Sequence, residues 1–238
     1  AWTVLDDSMS GAATNKIAKE GNMIYVATED NILKFSFSSK GGGCGTIESV
    51  EKILKDPTPW NGEVTSLVGA PFLESLFVGT SGARAAQVSL CDGSVITLDE
   101  VAVGTSTTTM LWVEKWRALV TADSVAVYLV FYSELRVPDR LQREWIGGIV
   151  GWTPSGLGYD EVNNAVWLAE MESVHQLTSD MRWNRYGYAQ LAPMQNVSSV
   201  GISNGVVWVG SDKAGLSRMW SDTSPQQHTA PAQVDDSG

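Results

Sequence analysis

NGVVWVGSDKAGLSRMW, residues 204–220, predicts two antiparallel strands joined by a polar loop. The Asn204-Gly205 pair at its start is typical of a tight type I′ turn between strands. The apolar run at 206–209 ends at the small residue Gly210, and residues 216–220 alternate between apolar and polar side chains. Alternation of this kind indicates half-buried β-strands, so the stretch is expected to form one hairpin of a sheet.

The same pattern, an apolar run that ends in small residues, occurs four more times along the chain. With Ala27, Gly79, Thr121, Ala169 and Gly210 taken as equivalent, the repeats are 52, 42, 48 and 41 residues apart. Repeats of this length are typical of propeller blades, each of which is one small antiparallel sheet. The sequence therefore predicts an all-β fold, a single closed β-propeller of five four-stranded blades.

The two ends of the chain are expected to meet in the last blade. Blade five lacks an outer strand, and Trp2-Thr3-Val4-Leu5 is an isolated strand that matches the place of Trp183 and its neighbours in blade four. Closing the ring with this N-terminal strand removes open sheet edges, which favour aggregation. The propeller domain is expected to span residues 1–222, followed by a flexible Ser/Pro/Gln-rich tail or linker at 223–238.

Two segments leave the strand assignment open. Residues 47–54 fit an outer strand or a short helix, because they are rich in Glu and Lys. The outer part of blade three, residues 135–145, is expected to be irregular, and Pro138 excludes a central strand there. A further blade hidden in this part or in residues 29–65 would make six blades, which is the alternative to five.

The propeller repeats of two-component regulators resemble this sequence. The similarity is carried by WTVL (2–5), NKI (15–17), IYVAT (24–28) and ILKF (32–35), and again by VSSV (197–200), VWVGS (207–211) and GLSR (215–218). In that family the repeats build sensory propellers that bind ligands, often glycans, or that serve as interaction surfaces. The resemblance implies the propeller fold alone. It assigns no functional residue, since the usual Asp-Gly-Leu ahead of the inner strand is absent and blade three barely fits the repeat.

Charge and hydropathy narrow the choice of partner. The net charge is −11 and only 18% of residues are charged, which argues against nucleic acid or an anionic membrane as the main partner. The longest apolar run, residues 125–131, is strand-sized, so no direct membrane insertion is expected. A protein or a glycan is the expected partner.

The chain begins with Ala, which fits a mature form or a segment of a longer protein with neighbouring domains.

The two cysteines, Cys44 and Cys91, do not form a metal-binding pattern, because neither has a histidine near it in the sequence. A bridge between them stays open, since each lies in or beside the outer part of a neighbouring blade. The sequon Asn196-Val197-Ser198 would fit a secreted protein, although it begins a predicted strand. A secreted or extracellular location is slightly favoured, and the sequence leaves the compartment and the oligomeric state open.

No residue pattern indicates a catalytic site. The only histidines are His175, in a predicted strand and expected to be structural, and His228 in the tail, which argues against a nucleophile–base–acid set or a histidine metal centre. No phosphate-binding glycine loop is present. Carboxylates that follow the equivalent strands are expected on one rim, where several oxygens could hold Ca²⁺; the alternative is a solvated loop edge. These carboxylates are Glu29, Asp123, Glu170 and Asp212.

Two tryptophans mark a candidate binding face. Trp60 and Trp152 lie in equivalent proline-containing loops, whereas Trp112, Trp167 and Trp208 lie in apolar strands and are expected in the core. Because antiparallel strands return the chain to the same end, the two loops share a face with the four carboxylates. Such a face can stack on sugar rings or anchor a basic partner segment; alternatively, each tryptophan fills a gap between blades.

Three functions fit these observations. A non-catalytic recognition or interaction propeller, which binds a ligand or a protein, is favoured because no reactive group of residues is present. A calcium-dependent propeller hydrolase or lyase is the alternative that the acidic loops support. A structural subunit of a large complex is the third, and the connector-like tail is consistent with it.

Overall fold

The fold was analysed in a computed structural model, which describes residues 16–20, 22–28, 31–38, 46–54, 64–81, 85–98, 109–123, 126–133, 138–144, 154–171, 173–187, 196–212 and 215–220. The chain forms two compact units, residues 1–107 and residues 108–238. Both are built from antiparallel sheets whose strands follow one another in chain order. The predicted all-β class is therefore confirmed.

Unit 1 contains two four-stranded sheets. Sheet 1 consists of β1 (Lys16–Glu20), β2 (Met23–Ala27), β3 (Ile32–Ser38) and β4 (Thr46–Lys52). Sheet 2 consists of β5 (Val64–Ala70), β6 (Ser75–Thr80), β7 (Ala86–Ser89) and β8 (Val95–Thr97). The first strands, β1 and β5, lie side by side, and Tyr25 of β2 belongs to the same buried apolar cluster as Leu76 and Val78 of β6.

Unit 2 contains three sheets in the described part of the chain. Sheet 3 consists of β9 (Thr109–Val113), β10 (Ala118–Ala122), β11 (Val127–Tyr132) and β12 (Pro138–Glu144). Sheet 4 consists of β13 (Gly156–Asp160), β14 (Ala165–Glu170), β15 (Ser173–Thr178) and β16 (Trp183–Tyr186). Sheet 5 has three described strands, β17 (Val197–Ser203), β18 (Val206–Ser211) and β19 (Gly215–Trp220). Strands β9, β13 and β17 neighbour one another in that order.

Sheet 4 is covered by apolar side chains on both faces, as the alternation of its second strand requires. Val166 and Leu168 of β14 pack in one cluster with residues of sheet 3, such as Val120. Trp167 and Ala169 point the other way and pack with residues of sheet 5. Both faces of β14 are therefore buried, which explains why its sequence is a nearly continuous hydrophobic run.

The turn at Asn204-Gly205 has the predicted geometry. Asn204 has φ +50° and Gly205 has φ +74°, so both central residues adopt the left-handed region that a type I′ turn needs. The turn joins β17 to β18 in direct register, with Ser203 opposite Val206.

The two open segments form outer strands. Residues 46–52 are β4, which settles the choice between strand and helix in favour of a strand. In the outer part of blade three, which was expected to be irregular, residues 138–144 form the regular strand β12 alongside β11, with one shift of register at Phe131 and Tyr132. Residues 135–137 and 145 lie outside the described residues. Pro138 is the first residue of this edge strand, where its missing N–H costs no sheet hydrogen bond, so the exclusion of a central strand is confirmed.

Two further details correct the sequence analysis. Trp112 and Trp167 are buried as expected, but Trp208 is 36% exposed and is not a core residue. Ala169, near the end of the second strand of sheet 4, faces the next sheet along the chain, sheet 5. In sheet 3 the residue at that place that faces the next sheet, sheet 4, is Ala122 rather than Thr121. A one-residue shift in a strand moves a side chain to the opposite face, so the choice between the two residues decides which face they occupy.

Several expectations fall on residues outside the described part, including the N-terminal strand at 2–5 and the tail at 223–238. Among the described residues, helical structure is limited to single turns at Pro71–Leu73 and Glu114–Trp116. Across those same ranges, no helix has the length and hydropathy needed to cross a membrane.

Candidate functional site

The ends of the three sheets in unit 2 are aligned by side-chain contacts between their turns. The Trp116 indole N–H, after β9, donates to Asn164 Oδ1 in the β13–β14 turn at 2.8 Å. A Cβ atom on Gly205, in the β17–β18 turn, would lie 3.5 Å from Val162 and from Asn163 Nδ2 of that same turn. We call this the turn end of unit 2.

At the opposite end, β9, β13 and β17 begin and β10, β14 and β18 finish, because paired antiparallel strands return the chain there. We call it the lead-in rim of unit 2. Its described residues are Asp123, Ser155, Glu170, Met171, Asn196 and Asp212. Asp123, Glu170 and Asp212, which the sequence analysis grouped on one rim, therefore lie at this end.

The lead-in rim between sheets 4 and 5 is held by hydrogen bonds. The Val197 N–H donates to the Met171 carbonyl at 3.0 Å, which ties the β14–β15 hairpin to the start of β17. The Asp212 N–H donates to the Asn196 carbonyl at 3.1 Å. Ser155 Oγ donates to the Val197 carbonyl at 3.2 Å. Backbone held by bonds of this kind is pre-organised, so little ordering entropy is lost when a partner binds.

Asp123 closes the β10–β11 hairpin. Its carboxylate is buried, and Oδ1 accepts the Ala126 N–H at 2.8 Å while the Asp123 N–H donates to the Ala126 carbonyl at 3.1 Å. Thr28 plays the same part in sheet 1, where its Oγ1 accepts the Asn31 N–H at 3.1 Å. A polar residue at the end of the second strand thus closes the following hairpin in both units.

Glu170 closes the β14–β15 hairpin through a cluster of three buried polar side chains. Ser173 Oγ donates to Glu170 Oε2 at 2.8 Å, and His175 Nε2 lies 2.8 Å from the same oxygen and 2.9 Å from Ser173 Oγ. Glu170 is 4% exposed, and the His175 ring meets the Trp183 indole edge to face, with centroids 6.3 Å apart. We call these three residues the Glu170 cluster.

The Glu170 cluster resembles a catalytic triad in composition but not in geometry. In a nucleophilic triad the serine proton moves to one ring nitrogen of the histidine, and the carboxylate holds the other nitrogen. Here a single nitrogen, Nε2, faces both oxygens, and the Glu170 carboxylate requires a proton on it. That nitrogen cannot accept the Ser173 proton, so the cluster stabilises a hairpin and does not activate a nucleophile. His175 lies in strand β15, as predicted.

The exposed part of the lead-in rim has a different composition. Met171, at the tip of the β14–β15 hairpin, is 52% exposed, and the side chains of Asp212 and Ser155 are also exposed. The remaining site residues predicted from the sequence, Glu29, Trp60 and Trp152, lie outside the described residues. A ligand-binding role for the six predicted residues stays a prediction.

Sequence reasoning missed Ser173 and Met171. A signal for Ser173 was present, since the spacing from Glu170 to Ser173 equals that from Asp123 to Ala126 and from Thr28 to Asn31. Met171 gave no signal of its own, because a single methionine between two glutamates is compatible with any exposed turn.

Metal-ligating side chains are dispersed in the described ranges. No group of three or more His, Cys, Asp or Glu side chains there is arranged to hold a metal ion. The Cys91 thiol donates to Glu74 Oε2 at 3.4 Å, and Cys44 lies outside the described residues.

No protein-family model matches the sequence, and no curated protein matches it. Solved structures do match the fold. The Cps50 (Swd1) β-propeller domain of Myceliophteria thermophila is 11% identical, with a TM-score of 0.64 over 86% of this chain and 68% of that chain. The low identity means that this match concerns the fold alone.

Two longer bacterial proteins match to a similar degree. One is the extracellular domain of a putative hybrid two-component system from B. thetaiotaomicron, with 11% identity and a TM-score of 0.61 over 85% of this chain. The other is PorZ, an essential surface component of the type-IX secretion system of Porphyromonas gingivalis, with 11% identity and a TM-score of 0.62 over 89% of this chain. This chain spans only 26% and 27% of their lengths. At 11% identity, both matches concern the fold alone.

Proposed function

We propose that this chain is a non-catalytic recognition propeller that binds a protein partner through the lead-in rim. The proposed architecture is a closed ring of five blades, with residues 2–5 completing the last one and six blades as the alternative. The observation that carries the functional proposal is the division of the lead-in rim into buried polar groups that hold hairpins and exposed groups that are available to a partner.

The buried groups support a non-catalytic role. The Asp123 and Glu170 carboxylates both accept hairpin hydrogen bonds, and His175 Nε2 lies within hydrogen-bond distance of both Glu170 Oε2 and Ser173 Oγ. A general base or nucleophile needs an accessible lone pair near the site of reaction. For the calcium-dependent hydrolase or lyase, Asp123 Oδ1 and Glu170 Oε2 are candidate ligands that already accept hairpin hydrogen bonds, so an ion bound through these two oxygens would compete with those bonds.

The exposed groups favour a peptide segment as the ligand. Met171 is a flexible, polarisable side chain of the kind that adapts to varied apolar partners. Asp212 is exposed beside a backbone that is fixed by the Asn196 carbonyl, so it offers a charge for a Lys or Arg of the partner. A segment with an apolar side chain next to a basic one fits both features, and a partner of basic character also suits the net charge of −11.

Trp152 is proposed to extend this surface within unit 2, and Glu29 and Trp60 are proposed as ligand-binding residues of unit 1. In the sequence, Trp152 comes four positions before the first residue of β13, Gly156. Large rigid side chains near charge are the usual anchors of protein interfaces.

An extracellular setting has support from the fold neighbours. PorZ is a surface component of a secretion system, and the two-component neighbour is an extracellular domain. One fold can host many functions, so the fold neighbours support the proposal only by analogy. Its main support is the composition of the lead-in rim.

The test is a selection of peptides from a displayed random library against the purified chain. Enriched peptides should pair an apolar residue with Lys or Arg, and their binding should weaken at least tenfold in Met171→Ala and in Asp212→Asn. Val162→Ala is the matched control, because Val162 is 68% exposed in the β13–β14 turn at the other end of the same sheet. Equal loss in the control, or no enrichment, would contradict the proposal.

Trp60→Ala and Trp152→Ala are measured in the same binding assay and by thermal melting. Weaker binding with unchanged melting supports their place in the surface. A stability loss of about 3–5 kcal/mol would instead identify them as core residues.

Calorimetry with Ca²⁺ tests the alternative function, since a tight stoichiometric site would favour the calcium-dependent enzyme. Binding of glycans in place of peptides would overturn the choice of a protein partner.

A further inference from the structure

Trp167 and Gln176 are two buried side chains with polar atoms that lie opposite each other in sheet 4. Trp167 of β14 pairs in register with Gln176 of β15, so both side chains lie on the same face of the sheet. That face packs against sheet 5, where Trp167 shares a cluster with Val207 and Met219. Both Trp167 and Gln176 are fully buried. Any group that binds their polar atoms must therefore be enclosed by the protein.

The Gln176 side-chain amide is held in one orientation by the outer strand of sheet 4. Its Oε1 accepts hydrogen bonds from Asn184 Nδ2 at 3.0 Å and from the Tyr186 hydroxyl at 3.2 Å, both on β16. Because the oxygen is turned towards β16, the amide nitrogen Nε2 is directed away from these two donors. The Tyr186 ring also lies beside the Trp167 indole, with centroids 5.3 Å apart. Tyr186 therefore contacts both buried side chains from the outer edge of the sheet.

Two hydrogen-bond donors in this group have no acceptor in the described part of the chain. They are the Gln176 Nε2 amino group and the Trp167 indole N–H, and both nitrogens are shielded from solvent. A buried donor without an acceptor loses the hydrogen bond that it makes to water in the unfolded chain, which lowers the stability of the fold. Because both groups can only donate, they cannot satisfy each other. A shared acceptor between them would remove both penalties.

The side chains around the two donors offer no strong acceptor. On the side of β13, Gly158 lies opposite Trp167, and a Cβ atom built there would lie only 2.8 Å from Ile202 Cδ1 of sheet 5. The other buried residues of the cluster between sheets 4 and 5 are apolar, namely Ala169, Val174, Val197, Val207, Val209 and Met219. A water molecule is small enough to be enclosed among such residues, and its oxygen can accept from two N–H groups.

We propose that the Trp167 indole N–H and the Gln176 Nε2 amino group bind one buried water molecule between sheets 4 and 5. The water oxygen accepts a hydrogen bond from each group, and its own protons bind second lone pairs of strand carbonyl oxygens. Buried waters typically make about three hydrogen bonds to groups that the protein itself leaves unsatisfied. The bound water fixes the orientation of both side chains and is therefore part of the packing between the two sheets.

The test is oxygen-17 magnetic relaxation dispersion of the purified chain, which counts water molecules with long residence times. Gln176→Met replaces the amide by an apolar side chain of similar length and should lower the count by one. Tyr186→Phe is the matched control, because it removes a hydrogen bond to the same glutamine but leaves both donors in place, so the count should not change. An unchanged count in Gln176→Met, or an equal loss in Tyr186→Phe, would overturn the inference.

A crystal structure of the unsubstituted chain gives a second measurement, which remains decisive if the Gln176 variant fails to fold. Electron density for one water molecule should lie within about 3.2 Å of both Trp167 Nε1 and Gln176 Nε2. A Trp167 N–H bonded directly to the Gln176 amide oxygen, or a site without such density, would overturn the inference. Neither measurement involves a peptide or the lead-in rim, so the inference is independent of the proposed function.

Discussion

The second strands of sheets 4 and 5 share a Val-Trp pair at equivalent positions, in VWLAE at 166–170 and VWVGS at 207–211, but the two tryptophans have different environments. Trp167 is fully buried, because residues of sheet 5 cover its face. Trp208, at the equivalent position, is 36% exposed. The strand pattern fixes which way each tryptophan points, but only the next layer decides whether that tryptophan becomes core.

Within the described part of the chain, Trp208 has fewer ring neighbours than Trp167. The Arg218 guanidinium lies 6.0 Å from the centre of its ring, at a distance where a cation is still attracted to the aromatic face. On the other side Gly201 lies directly opposite Trp208, and a Cβ built there would meet nothing within 4 Å. Trp167 instead has the Tyr186 ring at 5.3 Å.

The largest difference is expected from removing each tryptophan in turn. Trp167→Ala should lower the free energy of unfolding by about 3–5 kcal/mol, because it empties a site that is closed on all sides. Trp208→Ala should cost roughly 1–2 kcal/mol, since part of its surface is already in water. Urea unfolding of the two variants beside the parent measures both values. Equal losses would mean that Trp208 is as well covered in solution as Trp167.

The chain ends should also differ in their effect on stability. Removing residues 1–8 should expose the edge of β19 and lose several hydrogen bonds, each worth about 0.5–1.5 kcal/mol net. Removing residues 224–238 should leave thermal stability nearly unchanged, because that Ser/Pro/Gln-rich tail has little apolar surface to bury. Melting curves of the two truncated chains test this, and identical melting temperatures would contradict the assignment of residues 2–5 to sheet 5.

The hairpins after the two equivalent strands offer a third comparison. Glu170→Ala would leave the His175 Nε2–H and the Ser173 hydroxyl without their shared acceptor, at a cost of about 1–3 kcal/mol. Ser211→Ala, at the equivalent position of sheet 5, should cost about 1 kcal/mol or less, as for one ordinary hydrogen bond. Chemical denaturation separates the two. A larger loss for Ser211→Ala would show that the Glu170 cluster does not stabilise sheet 4.

The strands and the turns could be predicted because both depend on neighbouring residues in the chain. The positive φ of Asn204 and Gly205 and the edge position of Pro138 follow from the chemistry of those residues alone. The exposure of Trp208 could not be predicted, because it depends on which residues distant in sequence pack against that face of β18. The choice of Thr121 instead of Ala122 as the repeat position was wrong for a related reason. Both residues are small, and only the contacts with the neighbouring sheet show which of them faces it.

The candidate site was predicted only in outline. Asp123, Glu170 and Asp212 do lie at one end of unit 2, since alternating strand direction places them there. Their different roles depend on whether the side chain is buried. Asp123 and Glu170 are buried because their carboxylates close hairpins, whereas Asp212 is exposed. A sequence pattern of carboxylates carries no information on that choice.

The smallest expected effect concerns Tyr186, on the fourth strand that sheet 5 lacks in its described part. Its hydroxyl donates to Gln176 Oε1 at 3.2 Å, and burial raises the pKa of Tyr186 above its ordinary value of 10.0. The unfolded chain then loses the phenol proton at a lower pH than the folded chain. The stability that comes from the neutral phenol is therefore complete below pH 10 and declines as the pH rises above it.

Tyr186→Phe keeps the ring beside Trp167 and removes only the hydroxyl, so the cost at pH 7 should be about 0.5–1.5 kcal/mol. Above pH 10 the gap between parent and variant should narrow, because the variant has no phenol to titrate at this position. Tyr132→Phe serves as a reference on sheet 3, since burial raises the pKa of Tyr132 more strongly and its removal should flatten the alkaline decline further. Unfolding free energies measured between pH 7 and 11 test the argument, and a gap that widened with pH would mean that the Tyr186 phenol ionises more readily in the folded chain than in the unfolded one.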